Sequence, residues 1–119
     1  MPRILVLEDE ALIAEMLEDW IVELGFEVVG PASTVRDALA LIDQFDLDAA
    51  ILDARLPDGD SREVAELLRA KSVPFAFASG RAASELEGSF ASVPRLSKPF
   101  DFGQLQSVLE LLHRGKTLP

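Results

Sequence analysis

The sequence predicts an α/β fold built on a parallel sheet. Two apolar runs of four residues, Ile4–Leu7 and Ala49–Leu52, are typical of strands buried on both faces, as in a parallel sheet. The segments that follow such runs place apolar residues at helical spacing. Strands that alternate with helices indicate right-handed crossover connections.

The chain divides into five strand–helix units. The predicted strands are Ile4–Leu7, Phe26–Gly30, Ala49–Asp53, Phe75–Ala78 and Val93–Leu96. Pro31 closes the second strand, and Pro94 suits a fifth strand at the edge of the sheet, where a missing N–H is tolerated. Helical stripes follow the first, second, third and fifth strands and start at Leu12, Val35, Val64 and Phe102.

Helix-ending and helix-starting residues support these boundaries. Gly25 fits a C-cap, Ser33 or Thr34 caps the second helix, Asp60 or Ser61 caps the third, and Asp101 with Gln104 resembles a capping box. Arg81–Ser92 has few large apolar residues and contains Gly88, so we expect a short, irregular or mobile fourth helix there.

Length and composition exclude several function classes. The 119 residues suit one domain spanning 1–119, and 49% of them are hydrophobic. The chain has no cysteine and one histidine, His113, which excludes thiolate and multi-histidine metal sites. A net charge of −10 argues against direct nucleic-acid or acidic-membrane binding. No charged segment followed by an apolar run opens the sequence, and its apolar runs are too short to span a bilayer, so we expect no signal peptide and a cytoplasmic protein.

Carboxylates follow two of the buried strands. Glu8-Asp9-Glu10 comes directly after the first strand, and Asp53 ends the third. If both strands lie in one parallel sheet, these acids meet at its carboxyl edge, where open α/β sheets bind ligands. The sequence therefore predicts a metal-dependent acidic site.

Five features in order make the chain similar to the receiver domains of bacterial two-component response regulators, over essentially its whole length. They are Glu8-Asp9, Asp53, Leu56-Pro57-Asp58-Gly59, Ser79 and Lys98-Pro99. The resemblance implies the flavodoxin-like fold of chemotaxis regulators: five parallel strands in the order 2-1-3-4-5, with helices on both faces.

The resemblance also implies a phosphoryl-accepting site. Asp53 is then the nucleophile, which must be ionised and accessible to attack phosphorus. Hard oxygen ligands select Mg²⁺. By resemblance, Asp9, Asp53 and the backbone carbonyl of Arg55 bind the ion directly, and Glu8 acts mainly through water.

Lys98 and Ser79 complete the implied site. Lys98 is expected to pair with Asp53 and then with a phosphoryl oxygen, and the Lys98–Pro99 bond is commonly cis in this family. Ser79 is expected to donate a hydrogen bond to the phosphoryl group.

The chain departs from the family pattern at Arg95, where most receivers have Tyr or Phe. A buried arginine needs a partner, so we expect a substitute readout through Arg95 or through ordering of the weak fourth helix. Arg55 and Arg81 flank the site and are expected to tune the acyl-phosphate lifetime. Phe77-Ala78-Ser79-Gly80 is similar to a Phe-Ala-Thr-Gly motif of alphaproteobacterial single-domain receivers.

The leading functional interpretation is a stand-alone receiver, not an enzyme in the usual sense, since it catalyses only its own phosphoryl transfer and autodephosphorylation. A sensor histidine kinase or histidine phosphotransferase would donate the phosphoryl group, and a downstream protein partner would read the conformational change. We expect a monomer or weak homodimer. The kinase-facing residues would be Ala11, Leu12, Glu15, Pro99 and a partly exposed Phe100.

Two alternatives stay open. One is a Mg²⁺-dependent phosphohydrolase with an aspartyl nucleophile, although such enzymes usually have an acid where Arg55 stands. The other is a pseudo-receiver, a binding module that keeps the fold and has lost the switch, for which Arg95 is the only support.

Overall fold

A computed structural model describes residues 2–79, 90 and 93–117, apart from the side chains of residues 55, 60, 79 and 114–117. The elements in this part of the chain are β1 (Arg3–Leu7), α1 (Ala11–Glu23), β2 (Glu27–Ala32), α2 (Val35–Gln44), β3 (Ala49–Asp53), β4 (Arg55–Leu56), β5 (Gly59–Asp60), α3 (Arg62–Ala70), β6 (Phe75–Ser79), β7 (Arg95–Ser97) and α4 (Phe102–Thr117).

Five strands form one parallel sheet in the order β2-β1-β3-β6-β7. Since β6 and β7 are the fourth and fifth predicted strands, the predicted order 2-1-3-4-5 is confirmed. The antiparallel hairpin of β4 and β5 is an addition that the sequence analysis did not predict.

The helices cover both faces of the sheet. One core cluster packs α2 and α3 against the sheet, and the other packs α1 and α4 against the opposite face. In the central strand β3 every residue is buried, with Ile51 in one cluster and Leu52 in the other. This two-sided burial explains the unbroken apolar run.

Most predicted helix ends are confirmed. Gly25, at φ 93°, follows the end of α1, and the N–H groups of Gly25 and Phe26 donate to the carbonyls of Val22 and Ile21. This pair of bonds is a Schellman motif. The Oγ1 atom of Thr34 accepts from the Asp37 N–H at the start of α2. A reciprocal capping box joins Asp101 and Gln104, with both bonds 2.8 Å long.

The prediction that a Ser61 side chain caps α3 is wrong. Ser61 stands at the N-cap position but makes no side-chain cap bond. Its Oγ is buried without a hydrogen-bond partner within the described residues, while its N–H donates to the Ala54 carbonyl. The side chain of Asp60, the other predicted cap, lies outside the described residues.

Two strand boundaries also differ from the prediction. β2 runs past Pro31 to Ala32, with a break in its register with β1 and a cis Gly30–Pro31 bond. β7 starts at Arg95, after Pro94, and lies at the sheet edge as predicted. The fourth helix predicted within Arg81–Ser92 lies outside the described residues. Among the described residues, no helix is both long and apolar enough to span a membrane.

Candidate phosphoryl-acceptor site

Three carboxylates meet at the carboxyl edge of the sheet, as the strand pattern predicted. Glu8, Asp9 and Asp53 each offer an oxygen, and these oxygens lie within 4.8 Å of one another. Glu8 follows β1, where its N–H donates to the Ala32 carbonyl of β2 at 2.9 Å. Asp53 ends β3, and only 2% of Glu8 and 8% of Asp53 are exposed, whereas Asp9 is exposed.

Lys98 reaches into this cluster from the end of β7. Its Nζ lies 2.8 Å from Glu8 Oε1, 3.4 Å from Asp53 Oδ2 and 3.8 Å from Glu10 Oε1. The nearest partner is thus Glu8, not Asp53, and the contact with Glu10 is one that the sequence analysis missed. The Lys98–Pro99 bond is cis, as the resemblance implied.

Burial and charge oppose ionisation of Asp53. Burial comes first, followed by the negative charge of Glu8, and together they raise the pKa of Asp53 to about 7 although Lys98 lowers it. Lys98 offsets only part of the effect because it also serves Glu8. The site therefore concentrates negative charge that a further cation would neutralise.

The same contacts hold Lys98 charged. Burial alone would lower the pKa of Lys98, but its hydrogen bond with Glu8 and the charges of Asp53 and Glu8 outweigh this and raise it. The half-buried ammonium group of Lys98, beside Asp53, can bind an anionic oxygen that arrives at that carboxylate.

Asp58 joins the loop after β3 to the start of α2. Its Oδ1 accepts from the Val35 N–H at 2.9 Å and its Oδ2 from the Arg36 N–H at 3.2 Å. The bond from Val35 lowers the pKa of Asp58 most; burial opposes it, and the bonds from Arg36 and from the N–H of Asp58 itself lower the pKa further. The sequence identified the turn but not this role, because the partner N–H groups are distant in the chain.

Of the remaining predicted site residues, only Arg95 has a described side chain. Ser79 ends β6 and pairs with Ser97, and Arg55 begins β4, but the side chains of both lie outside the description. Arg81 lies wholly outside it. Arg95 is half-buried on β7, and its Nη2 donates to the Phe90 carbonyl at 3.2 Å.

The prediction of a partly exposed Phe100 is wrong. Only 8% of Phe100 is exposed, and its ring packs edge-on against Trp20 with centroids 6.4 Å apart. Leu12, in the first turn of α1, is instead 82% exposed. Of the residues predicted to face a kinase, Leu12 is therefore the exposed large apolar one.

Comparisons with known proteins agree with this geometry. The pattern described as the response regulator receiver domain matches residues 4–110. The solution structure of SdrG from Sphingomonas melonis Fr1 is 41% identical and has a TM-score of 0.81, covering 94% of this chain and 96% of that one. The BeF3-activated conformation of SdrG is 42% identical and has a TM-score of 0.80, covering 93% and 95%.

A curated relative extends the comparison. The transcriptional regulatory protein PdtaR of Mycobacterium tuberculosis is 32% identical over 114 residues, which cover 92% of this chain and 55% of PdtaR. The chain spans about half the length of the curated relatives it matches. With the parallel sheet and the acidic strand ends, these matches show that the chain belongs to the receiver domain family of two-component response regulators.

Proposed function

We propose that this receiver accepts a phosphoryl group on Asp53 with Mg²⁺, from a phosphohistidine on a sensor histidine kinase or histidine phosphotransferase. The observation that carries the proposal is the placement of Lys98 Nζ 3.4 Å from Asp53, beside two further acids at the carboxyl edge of the sheet. A lysine side chain that is only 12% exposed within an acidic cluster is placed to stabilise the charge of an anionic group that is transferred to the carboxylate.

The residues present fit Mg²⁺. Their donors are carboxylate oxygens, the hard ligands this ion prefers. Burial, and then repulsion from Glu8, raise the pKa of Asp53 to about 7, so a cation at this site would favour the ionised carboxylate. Asp9, Asp53 and the backbone carbonyl of Arg55 would hold the ion, with Glu8 acting through water. When bound, Mg²⁺ supplies positive charge that favours ionised Asp53 and neutralises the incoming phosphoryl oxygens.

The transfer itself is a displacement at phosphorus. A carboxylate oxygen of Asp53 forms a bond to phosphorus while the bond from phosphorus to the donor imidazole nitrogen breaks. The electron pair of that bond stays on the imidazole, which takes up a proton. Lys98 binds a phosphoryl oxygen, and Ser79 donates a hydrogen bond to another.

The output is a conformational change read by a downstream protein partner. The BeF3-activated structure of the 42% identical SdrG supports a switch of this kind. The single domain of residues 1–119, the stand-alone arrangement, the Phe77–Gly80 subgroup and the effect of Arg55 and Arg81 on phosphoryl lifetime stay predictions.

Phosphorylation by phosphoramidate, a small phosphohistidine mimic, tests the proposal. Intact mass should rise by one phosphoryl group in Mg²⁺ and not in EDTA. Asp53→Asn should abolish the gain, and Asp9→Asn should slow it by roughly tenfold or more. Asp43→Asn, at an exposed acid on α2, is the matched control. Equal labelling of wild type and Asp53→Asn would contradict the proposal.

The same experiment separates the alternatives. A pseudo-receiver would stay unlabelled, and a phosphohydrolase would release phosphate from phosphomonoesters in many turnovers. The Lys98 contacts with Glu8 and Asp53 favour an intact acceptor site over a pseudo-receiver.

A further inference from the structure

Phe90 packs in an aromatic cluster with two phenylalanines of β6, on the face of the sheet that α2 and α3 cover. Its side chain is fully buried and packs edge-on against Phe75 and Phe77, with centroids 6.1 Å and 5.8 Å away. Phe75 and Phe77 both lie on β6, the strand that ends in Ser79. Phe90 is thus packed onto a strand of the proposed acceptor site.

Two arginines hold this phenylalanine. The guanidinium carbon of Arg69, on α3, lies 4.4 Å from the centroid of the Phe90 ring, a cation–π contact. The Phe90 carbonyl accepts from Arg95 Nη2 at 3.2 Å and from the Val93 N–H at 3.2 Å. Arg69 therefore holds the ring, and Arg95 holds the backbone.

Arg95 lies three residues before Lys98 in the chain, so β7 joins the Phe90 cluster to the acceptor site. Arg95 pairs with Phe77 across β6 and β7, and Lys98 directly follows the last residue of β7. Movement of Lys98 from Glu8 toward a phosphoryl oxygen would pull on β7, and movement of Ser79 would pull on β6. Both displacements reach the Arg95–Phe90 contact through paired backbone.

We propose that the hydrogen bond from Arg95 to the Phe90 carbonyl, here called the Arg95 latch, stabilises the resting conformer and opens when Asp53 carries a phosphoryl group. Arg95 thereby reports the state of the site from the position where most receivers have Tyr or Phe. The inference rests on the proposed function, since it needs a phosphoryl group at Asp53. It goes beyond that function by naming the contact that changes.

Removal of the latch should shift the population toward the active conformer. One hydrogen bond of ordinary strength corresponds to a roughly three- to tenfold change in the equilibrium between conformers. Arg95→Met keeps the side-chain length and removes the donor. Arg95→Lys keeps a charge and a shorter donor, so its effect should have the same direction and be smaller.

Titration of beryllofluoride with Mg²⁺, followed by amide NMR, tests the latch. For Arg95→Met we expect roughly three- to tenfold tighter binding. Before any addition, the Phe90 and Leu96 amide signals should already lie displaced toward their wild-type bound positions. Loss of packing alone would not shift both amide signals in the direction that beryllofluoride shifts them in wild type. Arg36→Met, at an exposed arginine on α2, is the control and should match wild type.

Each outcome decides between the latch and the proposed function. Arg95→Met binding within twofold of wild type, with resting signals at wild-type positions, would overturn the latch and leave the acceptor site standing. Failure of wild type itself to bind beryllofluoride would overturn both. If Arg95→Met does not fold, Arg95→Lys decides by the same two readouts.

Discussion

Two buried carboxylates share one lysine at the acceptor site. Glu8 takes the shorter contact with Lys98, 2.8 Å against 3.4 Å for Asp53. Asp53 is left partly uncompensated, which is why burial and Glu8 raise its pKa to about 7. A buried carboxylate whose charge is only partly compensated lowers the stability of the resting fold, and the proposed cation or phosphoryl group would relieve this cost.

Asp53→Asn should therefore stabilise the fold in the absence of divalent ions. The folded-state pKa of Asp53 lies above its ordinary value of 3.8, so the wild type loses stability as pH rises from that value through about 7. The variant escapes this loss and leaves Lys98 paired with Glu8. At pH 8 we expect a gain in unfolding free energy on the order of 1–3 kcal/mol, and a smaller gain at pH 5.

Urea unfolding in EDTA at the two pH values measures this difference. Asp43→Asn, on the exposed face of α2, controls for the change in net charge. A destabilised Asp53→Asn, or a gain that does not grow with pH, would contradict the argument.

At the scale of elements, β2 depends on one glycine to reach the site. Gly30 has φ 101°, and a Cβ there would lie 2.7 Å from the Ala32 N and 3.0 Å from the Val6 carbonyl oxygen. Ala32 in turn accepts the N–H of Glu8. The irregular end of β2 thus helps to position the first acid of the cluster.

Gly30→Ala should cost about 2 kcal/mol or more of stability, because it adds a steric clash to an unfavourable φ. Gly25→Ala is the matched control, since Gly25 has φ 93° but no atom within 4 Å of an added Cβ. Its cost should be about 1 kcal/mol. Equal losses in urea unfolding would show that the close approach at Gly30 has no energetic effect.

The first turn of α1 presents Leu12 beside the acidic cluster. An apolar side chain that is 82% exposed there is suited to contact with a phosphodonor protein. Leu12→Ala should slow transfer from the cognate phosphotransferase by roughly five- to tenfold, and leave labelling by phosphoramidate unchanged. Leu111→Ala, 55% exposed on α4, is the control. Equal slowing with both donors would place the effect in the chemistry rather than in docking.

At the scale of the whole molecule, the sequence predicted the sheet because unbroken apolar runs such as Ala49–Leu52 are direct consequences of two-sided burial. It placed Glu8, Asp9 and Asp53 together for the same reason: parallel strands end at one edge. The sequence did not predict contacts between segments that are distant in the chain. The Asp58 bonds to α2 and the burial of Phe100 against Trp20 depend on packing that no local pattern records.

The net charge of −10 affects how stabilisation by Mg²⁺ must be interpreted. An acidic chain gains stability from any added salt through screening, so stabilisation by Mg²⁺ alone does not identify a site. Specific binding adds a term that grows with the logarithm of Mg²⁺ concentration, about 2.7 kcal/mol at one hundred times the dissociation constant.

The unfolding temperature should therefore rise with MgCl₂ well beyond its rise with NaCl at equal ionic strength. Asp9→Asn should remove this excess, while Asp43→Asn, with the same net charge, should retain it. An excess of equal size in the two variants would mean that Mg²⁺ acts on the diffuse charge and not at the cluster of Glu8, Asp9 and Asp53.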